Sequence, residues 1–254
     1  MRTSRKLALY SSGGKTLSFT YTGTYTIVQD SAMNWRIKFL TSGTFTPANN
    51  LNVDIFAVGG GGSCDNLKGA GRRSGGGGGY TQTVTSQALT GGTSYMVTVG
   101  YGGGTEGTSA SDGGPSSFGS LITANGGKKG ASYNTGGAGG SGGAGCSNSS
   151  GTASAVGGSD GSDGETGQSA NHGGAGQGTT TREFGESSGD LYAGGGGGSP
   201  GSWAGGAGGG GAGGAGNTSG GGDGQDGATN TGGGGGACGG KGGSGIVIIR
   251  NARS

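Results

Sequence analysis

The sequence predicts a mainly β protein with irregular segments and almost no α-helix, in which a small antiparallel β-sheet region clamps a bundle of packed polyglycine II helices. Three observations lead there. Apolar and polar residues alternate with a period of two up to about residue 58; glycine supplies 77 of 254 residues; and the apolar run "GIVIIR" stands at 245–250. Two regions follow, an N-terminal β region at 1–58 and a glycine-rich region at 59–254.

The elements are justified in chain order. "KTLSFTYTG" sets Leu17, Phe19 and Tyr21 on one face and Ser18, Thr20 and Thr22 on the other. "NWRIKFL" alternates Trp35, Ile37 and Phe39 against Arg36 and Lys38, which favours a strand over a short helix at 31–40 capped by Asp30. "LNVDIFAV" alternates Leu51, Val53 and Ile55 against Asn52 and Asp54. This is the half-buried antiparallel pattern, and "TSGTFTPANN" reads as the turn between the last two strands. Within the glycine-rich region, strands are expected at 80–89 and 94–100, flanking "TGG" as a hairpin, and at 118–125. The closing strand at 245–250 is apolar on both faces, as a central buried strand should be.

Composition limits what else the chain can be. With 27% hydrophobic residues there is no apolar core for the whole length, yet a formal net charge of +2 is not the charge-rich composition of disorder. The basic pairs Arg72-Arg73 and Lys128-Lys129 lack interleaved aromatics, so no nucleic-acid partner is expected. No stretch is long and apolar enough to insert in a membrane, and "MRTSRKLALYSSGG" lacks the apolar run of a signal peptide. Cys64, Cys146 and Cys238 are odd in number and widely spaced. They read as thiols of a protein made in a reducing cytosol, with a disulfide between two of them the lesser alternative.

The glycines carry their own periodicity. From Gly136 the text repeats in threes, and glycines 233, 236, 239, 242 and 245 keep one register, as do 158, 161, 164, 167, 173 and 176. Three residues per turn is the period of an extended left-handed helix. Collagen is excluded by 3 prolines and by triplets holding two or three glycines. The pattern fits polyglycine II rods side by side, parallel and antiparallel, with glycine wherever a rod faces a neighbour. Freezing each glycine costs about 0.5–1 kcal/mol more than freezing alanine, so such a bundle needs lateral extent and a conventional sheet to hold it.

Four blocks resemble the glycine-rich domain of bacteriophage tail-fibre and tail-tip proteins: "FLTSGTFTPANNLNVDIFAVGGGGS" at 39–63, "VTVGYGGG" at 97–104, "GGPSSFGSLITANGG" at 113–127 and "GGSGIVIIR" at 242–250. The chain is also similar in principle to the adhesins that cap long tail fibres of T-even-like phages, which contain a polyglycine II sandwich. The likeness spans roughly residues 37–250 and leaves 1–36 as the place for an attachment part, although no region like the one that cements those adhesins to a fibre is visible. It implies a non-enzymatic receptor-binding protein at the tail tip of a virion, assembled in the host cytoplasm. The implied partners are a bacterial surface receptor (an outer-membrane or wall protein, or a glycan), other tail-fibre or baseplate proteins, and further copies of the chain. A structural glycine-rich spacer or coat element is the alternative.

In either case, function is expected where glycine lapses, on loops held by a rigid frame. The lapses fall at 65–68, 131–135, 146–150, 179–184, 186–193 and 199–204. Tyr133, Phe184, Tyr192 and Trp203 are expected to be exposed anchors, since a glycine lattice offers an aromatic nothing apolar to pack on, and Arg182 to add hydrogen bonds to a sugar or phosphate. No cofactor and no metal site is expected. "GGKT" at 13–16 has Leu9 where a phosphate loop needs glycine, and "GGDGQDGAT" at 221–229 is a lone match to a calcium nonapeptide. His172 is the only histidine, and nothing around Glu165, Glu183 and Glu186 suggests a glycosidase pair.

Overall fold

The structure, a computed structural model, describes residues 7–9, 17–29, 34–65, 73–106, 109–130, 135–145, 182–198, 213–216 and 223–253. The strands in chain order are β1 Leu7–Leu9, β2 Leu17–Tyr21, β3 Tyr25–Gln29, β4 Trp35–Phe39, β5 Gly43–Pro47, β6 Leu51–Val58, β7 Thr81–Leu89, β8 Tyr95–Thr98, β9 Thr105–Glu106, β10 Ser109–Ala110, β11 Ser116–Phe118, β12 Ile122–Ala124 and β13 Ile246–Asn251. A six-stranded sheet runs β1-β2-β5-β8-β11-β12, a five-stranded sheet β3-β4-β13-β6-β7, and β9 pairs β10; every ladder is antiparallel. The architecture is therefore almost all β, with a single 3₁₀ turn at Glu183–Gly185 among the described residues.

The two larger sheets face each other over one core. Phe19, Tyr21, Phe45, Val97 and Phe118 come from the first sheet, and Ile37, Phe39, Val53, Ile55, Val247 and Ile249 from the second. Phe39 meets Phe45 edge-on at 5.5 Å between ring centroids and Phe118 at 6.1 Å. Such aromatic pairs add about 0.5–1.5 kcal/mol beyond the area they bury. The second sheet is also covered on its far side, where Phe56, Val58, Ile246 and Ile248 form a smaller cluster with Tyr192 and Ala193. Burial on both faces is why Ile55–Val58 of β6 and Ile246–Ile249 of β13 read as continuous apolar runs. β13 lies between β4 and β6, with Ile249 opposite both Ile37 and Ile55.

The structure corrects three local readings. "TSGTFTPANN" contains β5: Gly43 and Pro47 punctuate it like a turn, but Phe45 between Thr44 and Thr46 is fully buried and pairs with Tyr21 and Tyr95. The segment at 118–125 is the second half of a hairpin, reversed at Gly119 with φ +53, so that Phe118 pairs with Ile122. β7 and β8 do not pair with each other. β7 joins β6 in one sheet and β8 joins β5 and β11 in the other. Their turn crosses the sandwich beside the β5–β6 turn, held by Gly92 N–H donating to the Pro47 carbonyl at 2.7 Å and Gly91 N–H to Asn50 Oδ1 at 2.8 Å. Alternation is the same in either arrangement; which partner offers the longer ladder decides.

Beyond the sandwich, strands continue directly into glycine segments: β6 into 59–64, β8 into 99–104, β12 into 125–130, while 74–80 leads into β7, 111–115 into β11 and 240–245 into β13. Their backbone hydrogen bonds rotate every three residues. Gly59 and Gly62 donate to Tyr80 and Gly77, Gly60 and Ser63 to Gly114 and Ser111, Gly61 and Cys64 to Gly243 and Gly240, all at 2.8–3.1 Å. Gly75 and Gly78 donate to Ala144 and Ser141, Gly76 and Gly79 to Gly235 and Gly232, Gly77 and Tyr80 to Lys128 and Asn125. In each pair the acceptor number falls by three as the donor number rises by three, which marks antiparallel neighbours. Gly137 and Gly140 instead donate to Gly75 and Gly78, a parallel relation. Segment 59–64 gives its N–H groups to three segments and takes bonds on its carbonyls from Gly127, Gly103, Gly235 and Gly130, which belong to three others. It is surrounded by backbone.

That closeness explains the composition. A Cβ added at Gly59, Gly60, Gly61 or Gly62 would lie 2.0–2.1 Å from a neighbouring carbonyl oxygen. At Gly104 nothing lies within 4 Å. Gly61→Ala should therefore destabilise the protein by about 1–3 kcal/mol or more through overpacking, whereas Gly104→Ala should stay within about 0.5 kcal/mol. Urea denaturation of both variants checks this; equal losses would mean the segments are not packed backbone to backbone.

Candidate functional site

The longest glycine lapse that the structure describes is the loop from Arg182 to Tyr192, which lies on the far face of the second sheet. It is built as a tight reversal. Arg182 bridges Leu191, Glu183 N–H donates to the Asp190 carbonyl at 3.1 Å, and Phe184 and Gly185 take positive φ of 56° and 69°. The Arg182 guanidinium closes the loop from within, donating to the Gly189 carbonyl at 2.9 Å.

The period-two alternation of β4 places Arg36 and Lys38 on this face, opposite the core-facing Ile37 and Phe39. They meet Glu183, whose side chain is 1% exposed: Arg36 Nη1 donates to Oε1 at 2.8 Å, Lys38 Nζ to Oε2 at 2.9 Å and the Tyr192 hydroxyl to Oε2 at 3.0 Å. Lys38 also pairs with Asp190 at 3.1 Å. One step along, Glu186 holds Arg250, Arg253 at 3.2 Å and Arg36 at 3.7 Å. Arg250 donates from Nε to Asp54 at 2.9 Å and lies over the Phe184 ring, 4.1 Å from its centroid. Asp54 sits at a bulge between β6 and β7 and accepts from Ser86 N–H at 3.0 Å, where Ser86 has φ 54°. Four carboxylates thus balance four cations. Burial opposes the charge of Lys38, but the Tyr192, Glu183 and Asp190 oxygens around it outweigh this and raise its pKa above the ordinary 10.5. Burial, then the Glu183 charge, raise the Tyr192 phenol above 10.0.

With its carboxylate surrounded by donors, Glu183 serves here as a clasp that fixes the loop to the sheet. Among the described residues no group of three or more His, Cys, Asp or Glu could hold a metal ion.

Of the anchors expected from sequence, Tyr133 and Trp203 lie outside the described residues. Two others are corrected as to exposure. Tyr192 is 4% exposed and packs against Phe56 at 5.4 Å; Phe184 is half-buried, 5.9 Å from the same ring. The lattice gives them nothing apolar, but the far face of the sheet does. Arg182 is half-buried and engaged with its own loop. The exposed positions are Gly185, Ser187, Ser188 and Asp190 at the loop tip. Sequence reading missed Tyr101, an aromatic 68% exposed beside Gly114, because "VTVGYGGG" reads as a strand end. It also missed Arg36, Lys38 and Arg250 as clasp residues, although their place opposite an apolar face was the available signal.

Removing the Glu183 charge leaves the partly buried Arg36 and Lys38 with only Glu186 and Asp190 to balance them, so Glu183→Gln should cost about 1–3 kcal/mol. Asp190→Asn, with a side chain 73% exposed, should cost under about 1 kcal/mol; chemical denaturation compares them. Lys38 and Tyr192 both have raised folded-state pKa values, so their contribution is full below their ordinary values of 10.5 and 10.0 and is lost as pH rises beyond them. Melting temperature should fall with a steepening slope above that range, and Tyr192→Phe should flatten the slope.

A comparison with curated proteins finds no match. A family model described as the glycine-rich domain matches residues 40–252, from the end of β4 through β13. With that match covering most of its length, the chain belongs to the glycine-rich domain family.

Proposed function

We propose that the chain is a phage receptor-binding adhesin or tail-tip protein, in which polyglycine II rods form a rigid scaffold displaying recognition loops to the bacterial surface. The observation that carries this reading is the pairing of a backbone-locked frame with a clasped, non-glycine loop. The three-residue rotation of hydrogen bonds at 59–64 and 75–80 supports rods of polyglycine II type. The clasp orders the loop before any partner arrives, which lowers the entropy cost of binding. What it offers outward is a short polar tip, Gly185 to Asp190, suited to hydrogen bonding with a glycan or protein surface. The resemblance of the 39–63, 97–104, 113–127 and 242–250 blocks to tail-fibre domains supplies the biological setting. Receptor, fibre or baseplate neighbours and further copies of the chain are the partners it implies.

The burial of Tyr192 and Phe184 favours a second reading, a structural spacer or coat element in which these aromatics cover the sheet and the loop binds nothing.

Fluorescently labelled protein applied to a panel of bacterial strains separates the two. The adhesin reading expects saturable binding to some strains. Replacing the exposed Ser187 and Ser188 at the tip by arginine, with the clasp residues Glu183, Glu186 and Asp190 kept, should reduce that binding at least tenfold with the melting temperature unchanged. Exchanging 131–135 and 179–204 for loops of a relative should redirect it. Binding to no strain, or binding indifferent to every loop exchange, favours the spacer.

A further inference from the structure

Two of the three cysteines, 174 residues apart in sequence, meet inside the glycine lattice. Cys238 N–H donates to Cys64 Sγ at 3.2 Å, and Cys64 N–H donates to the Gly240 carbonyl at 3.0 Å, so the first rod is laced to the turn at 237–240. Both residues are buried thiols. Covalent geometry around the 3.2 Å contact keeps their Cα atoms within about 7.5 Å, next to the ~4.4–6.8 Å range of disulfides.

Neither cysteine belongs to the two hydrophobic clusters, so packing of an apolar core does not account for them. Cys238 also adopts φ +71, the left-handed conformation that glycine takes without strain. A segment reading GGGGGACGGKGG has glycine on either side of this turn, yet carries a side chain where its absence is easier. The backbone N–H of that same residue stands against the Cys64 sulfur.

We propose that Cys64 and Cys238 are an oxidative staple: they form a disulfide that joins the start of the glycine lattice to its last turn when the protein meets a low-molecular-weight disulfide such as oxidised glutathione. In the first step the Cys238 thiolate attacks the glutathione disulfide, forming a mixed disulfide and releasing one glutathione thiolate. Cys64 then attacks the Cys238 sulfur and expels the second. The two protons lost by the cysteines end on the two glutathione thiols, and the glutathione disulfide is the species reduced. Cys238 comes first because it is 8% exposed against 1% for Cys64, whose thiol is pushed up to about 11 by burial. The staple is open in a reducing compartment and closes in an oxidising one. It stands independently of the adhesin reading.

The test uses the full chain, as wild type and as Cys146→Ser, both held native with oxidised glutathione and refolded from urea through a glutathione redox buffer. Expected are a peptide pair cross-linked through Cys64 and Cys238, loss of both thiols to alkylation in denaturant, and reversal by dithiothreitol. The urea midpoint of oxidised protein should exceed that of reduced protein, and this difference should vanish in Cys238→Ser. If both thiols alkylate fully after oxidative refolding, or if wild type cross-links only through Cys146 or stops at glutathione adducts, the staple is refuted. Should Cys146→Ser not fold, the wild-type peptide map alone decides.

Discussion

The structure depends on one constraint: a carbonyl oxygen of one segment occupies the place where the next segment's Cβ would stand. Only glycine permits that approach, and only that approach lets N–H groups pointing in three directions all find partners outside their own chain segment. Each such bond is worth about 0.5–1.5 kcal/mol net, against roughly 1–2 kcal/mol of backbone entropy for each residue fixed. The lattice is thus close to balance by itself. The sandwich tips it, because six of its strands run unbroken into glycine segments and deliver them already aligned and spaced. A conventional apolar core, with Phe39, Phe45 and Phe118 at its centre, determines the positions of backbone that has no side chains to position it.

The same sheet has a second task. Its far face carries Phe56, Ile246 and Ile248 together with Arg36, Lys38 and Arg250, a mixture that suits neither water nor glycine. The Arg182–Tyr192 loop covers it with two aromatics for the apolar part and three carboxylates for the cations. Asp54, buried beside Arg250, completes the balance and shapes the bulge opposite it. The loop is held by charge and ring packing, whereas the lattice is held by backbone; the chain joins two ways of being rigid.

Much of this was legible in the sequence. The alternation at Leu17–Tyr21, Trp35–Phe39 and Leu51–Ile55 reports which residues enter the core, because a half-buried strand must alternate. The double-sided apolarity of Ile246–Ile249 reports a central strand for the same reason. Period-three glycine reports segments packed on several sides. What escaped depends on partners rather than local pattern. β5 hides behind Gly43 and Pro47, since punctuation residues dominate a short strand with one buried ring. β7 and β8 alternate alike whether they pair or part. The clasp was invisible because Glu183 and Lys38 lie 145 residues apart, and no spacing rule relates a glycine lapse to a distant strand.

The placement of β13 bears on how the molecule comes into being. Residues 246–251 fill the gap between β4 and β6, so the five-stranded sheet stays split until that stretch has left the ribosome. Until then β3-β4 and β6-β7 are two separate ribbons with exposed edges, and the glycine segments emerge without a finished sheet to order them. Assembly awaits a contact between residues about two hundred positions apart, the kind of topology that folds slowly and profits from protection during synthesis.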